Sequence, residues 1–122
     1  IATENMFGDI LSDLAGELSG SLGMAPSINA SATQAMAQAS HGSAPDIAGK
    51  DVANPVGMIL SAAMLLTWLS GERKDPAAGA AGQAIERAVA ASLERGPRTR
   101  DLGGVAGTQE FTSAIVQNLT GS

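Results

Sequence analysis

The sequence has no cysteine and no tyrosine, and only one histidine. Lack of cysteine excludes disulfides, cysteine-ligated zinc and thiol nucleophiles together, and it fits a reducing cytoplasm. With one His41 and no thiol, a self-contained nucleophile–histidine site has little to be built from. Aromatic residues make up 2% of the chain, so the core must come from Ala, Leu, Ile, Val and Met, a composition that favours closely packed helices. Basic residues are few and scattered: 7 Lys and Arg stand against 12 Asp and Glu, a net charge of -5, which opposes a nucleic-acid partner. Long hydrophobic runs are missing as well. The most apolar stretch, Val56 to Leu69, is interrupted by Gly57, Ser61 and Thr67 and falls short of the ~20 residues that a bilayer span requires, so no membrane partner is expected. There is no basic segment leading into an apolar run, and the chain opens Ile-Ala-Thr-Glu-Asn without Met, as the middle of a gene product would. Neither a Gly-x-Gly-x-x-Gly run nor a Gly-x-x-x-x-Gly-Lys-[Ser/Thr] loop is present. No internal repeat is found.

What is there, 122 residues with 44% apolar and 16% charged side chains, has the size and composition of one globular unit. Ile1 to Thr3 reads as the end of a strand and Asn5 to Gly8 as a turn. From about Gly8 to Ser19, Ile10, Leu11, Leu14, Ala15 and Leu18 recur at helical spacing. Gly20 to Asn29 reads as loop, with a short strand around Gly23 to Ala25. Ala30 to Ala39 is rich in Ala, Gln and Met, and propensity favours helix; residues 40–53, broken by Gly42 and Pro45, are mostly loop. Asn54-Pro55 is a cap-then-proline start for a buried helix reaching about Ser70, stopped by Gly71. Asp75-Pro76 repeats the signal for a helix to about Leu93, with Ile85, Val89 and Leu93 facing inward. A polar connection from Arg95 to Gly107 precedes a last helix that Thr108 caps and that carries Phe111, Ile115, Val116 and Leu119.

Two places have the residues for chemistry. Asp9 and Asp13 lie four apart, so on a helix both carboxylates project from one face and suit one hard divalent cation. Mg²⁺ or Mn²⁺ prefers about six oxygen ligands, so water, substrate or a further carboxylate would complete the shell. The alternative is that Asp9 caps the helix or meets its dipole while Asp13 faces solvent. The second place is His41-Gly-Ser-Ala-Pro-Asp-Ile-Ala-Gly-Lys50, a loop rigid at Pro45, permissive at Gly42 and Gly49, and suited to a ribose or a base. A carboxylate such as Asp46 accepts from two vicinal hydroxyls and repels a 2′-phosphate. The alternative is a surface histidine and an aspartate that bonds its own turn.

Thr3-Glu-Asn-Met-Phe-Gly-Asp-Ile-Leu-Ser-Asp13 resembles the metal-binding segment of the isopropylmalate/isocitrate family of β-decarboxylating dehydrogenases. His41 to Lys50, with Ala53-Asn-Pro55, resembles that family's adenosine-binding loop. Residues 23–27, 59–66, 101–104, 107–108 and 110–112 follow in the family's order, so the resemblance covers nearly the whole chain. It implies an α/β two-domain parent fold, of which residues 1–122 are a helix-rich carboxy-terminal portion with a few short strands. Within it, about 1–28 would be the metal-binding and dimer-interface helix region, and about 29–122 the adenosine loop and last helices. Asp9 and Asp13 would hold Mg²⁺ or Mn²⁺, polarising the oxygens of a 2-hydroxy acid and stabilising the enolate left by decarboxylation. Of the cofactor-binding set His41, Gly42, Ser43, Ala44, Pro45, Asp46, Ile47 and Asn54, His41 would lie against adenine with Ile47 beside it. Asn54 would bond the base edge and Asp46 the ribose. Asp46 and Ile47 stand where NADP-using relatives tend to have basic or aromatic residues, so the expected cofactor is NAD.

The resemblance also implies a homodimer, because the early helix helps form the subunit interface, and a cytoplasmic enzyme. No catalytic residue is assigned, since the family's substrate-binding arginines and catalytic tyrosine and lysine belong to segments upstream. The chain departs from the family at Gln38-Ala39-Ser40-His41, where relatives have Glu-Pro or Glu-Ala ahead of the histidine, and along Asn29 to Gln38. The first leaves the nicotinamide-side contacts open; the second points to a substrate subfamily. 3-Isopropylmalate, with a place in leucine biosynthesis, is the first expectation, then tartrate or D-malate, then isocitrate. The rival class is an incomplete piece that binds cofactor and associates but turns nothing over.

Overall fold

The computed structural model describes residues 2–18, 20 and 22–121, and of Glu17 and Leu22 the backbone only. Among these described residues, four α-helices and a two-stranded antiparallel sheet follow in the order α1 (Asn5–Leu18), β1 (Pro26–Ala30), β2 (Ala35–Ala39), α2 (Val56–Arg73), α3 (Pro76–Arg95) and α4 (Thr108–Thr120). Single 3-10 turns lie at Leu22–Met24, Pro45–Ile47 and Arg100–Leu102. No described helix is long and apolar enough to cross a membrane.

The core sits among α2, α3 and α4. Val56, Ala88, Val89, Phe111 and Ile115 are buried together, with Ile85 and Leu93 packed against them, which is the inward stripe expected of α3. Phe111, the largest fully buried side chain, supplies much of the apolar area taken from water in this low-aromatic chain. Val116 and Leu119 of α4 are exposed instead, because they lie off the face that meets α3. The helices approach closely where α3 has glycine. A Cβ on Gly82 would come within 2.9 Å of the Ala63 carbonyl oxygen and of Thr67 Oγ1, and one on Gly79 within 2.6 Å of Ser70 Oγ. These glycines cost α3 some helix propensity but permit its contact with α2.

Ser61, which breaks the apolar run in sequence, ties the hairpin to α2. Fully buried, its Oγ accepts from Ser27 N–H at 3.2 Å and lies 2.8 Å from the Gln38 carbonyl and 2.7 Å from that of Gly57, either of which takes its proton. Ser27 and Gln38 are themselves paired across the hairpin. The hydroxyl thus serves backbone groups of both strands.

Several sequence expectations are corrected. Asn5 to Gly8 is the first helical turn rather than a bend: Gly8 N–H bonds the Glu4 carbonyl at 2.8 Å, and Met6 and Phe7 extend the apolar stripe backwards. Ala2 and Thr3 are not strand, while Ile1, like Ser19 at the expected end of α1, lies outside the described residues. The strand comes at Pro26–Ala30, after a 3-10 turn at 22–24. Residues 30–39, expected helical, contain β2, because alternating burial and pairing with β1 override the local preference of Ala and Met for helix. Gly71 does not stop α2. It is exposed with open space around it, and the helix ends instead at Lys74, whose φ of 53° is left-handed. Asp75 caps α3 as expected, Oδ1 accepting from Ala77 and Ala78 N–H at 2.9 and 3.3 Å.

Thr108 does not cap α4 but is its first residue. The capping acceptor is the side chain of Asp51, Oδ1 receiving Gln109 N–H at 2.9 Å across 58 positions of sequence. An acidic group at a helix amino terminus satisfies an orphan amide and meets the favourable end of the helix dipole.

Candidate cofactor and metal site

The residues from His41 to Lys50 lie wholly on the surface, as a site for an extended ligand requires. They follow directly on β2 and are shaped by two left-handed residues, Ala44 at φ 43° and Gly49 at φ 73°, on either side of the turn Pro45–Ile47. That turn is held by Ile47 N–H to the Ala44 carbonyl at 3.1 Å and Ala48 N–H to that of Pro45 at 3.3 Å. A non-glycine residue held left-handed is strained, and such strain gathers where a loop must present a fixed shape. His41 Nδ1 lies 2.9 Å from the Gly42 carbonyl. A carbonyl only accepts, so in this contact Nδ1 carries the hydrogen. Asp46 and Ile47 are exposed side by side, a carboxylate beside an apolar surface. Ser43 is exposed between Gly42 and Ala44.

The far end of the loop is anchored by distant parts of the chain. Asp51, left-handed at φ 52°, receives Thr108 N–H on its carbonyl at 3.1 Å besides capping α4, and Thr108 Oγ1 donates to the Ala53 carbonyl at 2.6 Å. Gly107 has no room for a side chain, since a Cβ there would run into the Asp51 carboxylate. Asn54 is buried, 8% exposed. Its Oδ1 accepts from Val56 N–H at 3.0 Å, opening α2, and its Nδ2 donates to Asp101 Oδ2 at 2.8 Å. Neither Asp51 nor Asp101 was singled out from sequence, because partners 58 and 47 positions away leave no local signal. The hint in the sequence is that Asp101 opens the segment 101–104, which follows the family's order.

Asp9 and Asp13 stand one helical turn apart on α1, both exposed. Asp9 sits a full turn inside the helix, so it does not cap it, and its carbonyl accepts from Ser12 Oγ at 3.0 Å. Among the described residues no group of three or more His, Cys, Asp or Glu is placed to hold a metal. Two exposed carboxylates at this spacing fit part of a hard-cation shell, and further oxygens must complete it.

A family model described as isocitrate/isopropylmalate dehydrogenase matches residues 1–115. The chain belongs to this family. It is 56% identical to an isocitrate/homoisocitrate dehydrogenase of Thermus thermophilus, the match covering 98% of this chain and 34% of that protein. It is 51% identical to a 3-isopropylmalate dehydrogenase of Streptococcus mutans, covering 98% of this chain and 33% of that one. Among solved structures, a β-decarboxylating dehydrogenase from Thermococcus kodakarensis superposes with a TM-score of 0.82 at 44% identity, over 97% of this chain and 33% of that one. An isocitrate dehydrogenase from Methylococcus capsulatus also gives 0.82, at 45% identity over 94% of this chain and 33% of that one. The chain thus spans about a third of the length of these relatives, and its fold is a portion of theirs.

Proposed function

We propose that the protein carrying this chain is a cytoplasmic, NAD-dependent oxidoreductase that oxidatively decarboxylates a malate-type 2-hydroxy acid with a divalent metal. The observation that carries the reading is the exposed loop His41–Lys50, pinned at its end by Asp51 and Asn54, in a chain of this family. His41 lies against the adenine, Ile47 packs beside it, and Asn54 bonds its edge. Asp46 accepts both adenosine ribose hydroxyls and repels a 2′-phosphate. Gly42, Ser43, Ala44 and Pro45 give the backbone that meets the dinucleotide.

Asp9 and Asp13 contribute two carboxylates to Mg²⁺ or Mn²⁺, which when bound supplies Lewis-acid polarisation of the acid's oxygens. The apolar stripe of α1 is the surface on which two copies associate as a homodimer, since Met6, Phe7, Ile10, Leu11 and Leu14 are all about half exposed or more. 3-Isopropylmalate is the first substrate to test. A second reading, isocitrate or homoisocitrate, is favoured by the 56% identity to a relative of that name; tartrate and D-malate complete the panel.

The experiment is turnover of the protein at its natural length, followed by NAD reduction with Mn²⁺ and each acid, alongside calorimetric titration of NAD and NADP. Reduction with one of the acids and tighter binding of NAD are expected. Asp46→Lys should reverse the cofactor preference, and Asp9→Asn with Asp13→Asn should weaken Mn²⁺ by roughly tenfold or more while NAD still binds. Tighter binding of NADP by the unaltered protein, or no reduction with any of these acids, would overturn the reading.

A further inference from the structure

Asp51 stands between the two stretches that carry the family resemblance, His41–Lys50 and Ala53–Pro55, and it is exposed, yet its backbone is left-handed at φ 52°. Gly49 takes a left-handed turn at no steric cost, whereas Asp51, two residues on, takes one that its surroundings must hold. Those surroundings are the start of α4. The Asp51 carbonyl accepts from Thr108 N–H at 3.1 Å, its Oδ1 accepts from Gln109 N–H at 2.9 Å, and Thr108 Oγ1 donates to the Ala53 carbonyl at 2.6 Å.

Each side of this contact depends on the other. α4 has no cap of its own, because the residue before it is Gly107, which has no side chain to accept from the orphan amides. The Gly107 backbone, at φ -78° and ψ 166°, suits any residue, but a Cβ there would run into the Asp51 carboxylate. The absence of a side chain at Gly107 therefore leaves room for the one at Asp51.

We propose that Asp51 is a positioning residue for the loop His41–Lys50: its carboxylate latches the loop's exit to α4, so that the loop's shape and the first turn of α4 hold or loosen together. This rests on the reading of that loop as the adenosine site. Coupling of this kind is reciprocal, so a ligand that orders the loop must also tighten the amide that Asp51 receives.

The test uses the protein at its natural length: calorimetric titration of ADP-ribose and, separately, of Mn²⁺, hydrogen exchange of the peptide spanning 107–112, and thermal melting of each variant. Asp51→Ala should weaken ADP-ribose roughly tenfold and leave Mn²⁺ unchanged. Asp51→Asn, which still accepts and tolerates the left-handed turn, should recover to within about threefold. Asp51→Gly separates the turn from the latch: glycine adopts the conformation freely but has no acceptor, and binding should stay at least about fivefold weaker. Gly107→Ala displaces the carboxylate from the α4 side and should weaken ADP-ribose in the same way. Saturating ADP-ribose should slow exchange in 107–112 by about threefold or more in the unaltered protein, and this slowing should vanish in Asp51→Ala.

Asp75→Ala is the control, because it removes a cap of the same kind from α3, with partners no more than three residues away. It should lower the melting temperature as Asp51→Ala does and leave ADP-ribose affinity within about twofold. Should Asp51→Ala not fold, Asp51→Asn and Asp51→Gly carry the same comparison. Asp51→Gly binding as tightly as the unaltered protein, equal losses in Asp75→Ala and Asp51→Ala, or ligand-dependent exchange that survives Asp51→Ala would overturn the proposal while the functional reading stands. Failure of the unaltered protein to bind ADP-ribose would overturn both.

Discussion

Helix α1 and the three-helix body α2–α4 are built on opposite terms. In the body, Val56 and Phe111 are fully buried, the contact of α3 with α2 is tightened by Gly79 and Gly82, and Ser61 ties the hairpin to α2. On α1 the apolar residues face outward: Ile10 is 59% exposed and Leu18 80%. A 14-residue helix is marginal in water by itself and takes most of its stability from burying an apolar face. The chain therefore completes the support of the loop His41–Lys50 from its own residues, but presents Asp9 and Asp13 on a helix that needs a surface from elsewhere.

The sharpest way to break this comparison is Phe111→Ala, expected to destabilise the body by about 3–5 kcal/mol in a denaturant titration. A loss below about 1 kcal/mol would mean that the core is elsewhere. Next, Ser61→Ala strands hairpin backbone groups in a buried place and should cost about 1–3 kcal/mol by the same titration; no change would show that the hairpin is held without the hydroxyl. Removing the α3 cap with Asp75→Ala should cost about 1 kcal/mol, seen as a lower denaturation midpoint with unchanged slope. Smallest of all, Leu14→Ser on α1 should change the stability of the monomeric 122-residue chain by less than about 0.5 kcal/mol, while weakening self-association in analytical ultracentrifugation. A loss comparable to that of Phe111→Ala would place α1 within the core and end the contrast.

How much of this was legible in the sequence depends on the reach of each interaction. Asp75-Pro76 and Asn54-Pro55 act within three residues of themselves, so both helix starts were readable, although Pro55 precedes rather than begins α2. The segment 30–39 was misread because Ala, Met and Gln prefer helix locally, whereas pairing with β1 and packing on α2 decide for strand. Gly71 misled because an exposed glycine weakens a helix by only about 1 kcal/mol, too little to end one that tertiary contacts hold. The loop His41–Lys50 was visible as a loop from Gly42 and Pro45. Its anchors were not, since Asp51 reaches Gln109 and Asn54 reaches Asp101 only once the fold brings them together.

Hydrogen exchange of the 122-residue chain, resolved by mass spectrometry at a concentration where ultracentrifugation finds it monomeric, tests the contrast most directly. The amides of α2 and α3 and of α4 from Phe111 onward should be protected by a factor that falls together in denaturant, while those of α1 should exchange at least about a hundredfold faster. Equal protection of α1 and the body would contradict the account, because it would mean that this chain already supplies the surface on which the helix carrying Asp9 and Asp13 rests.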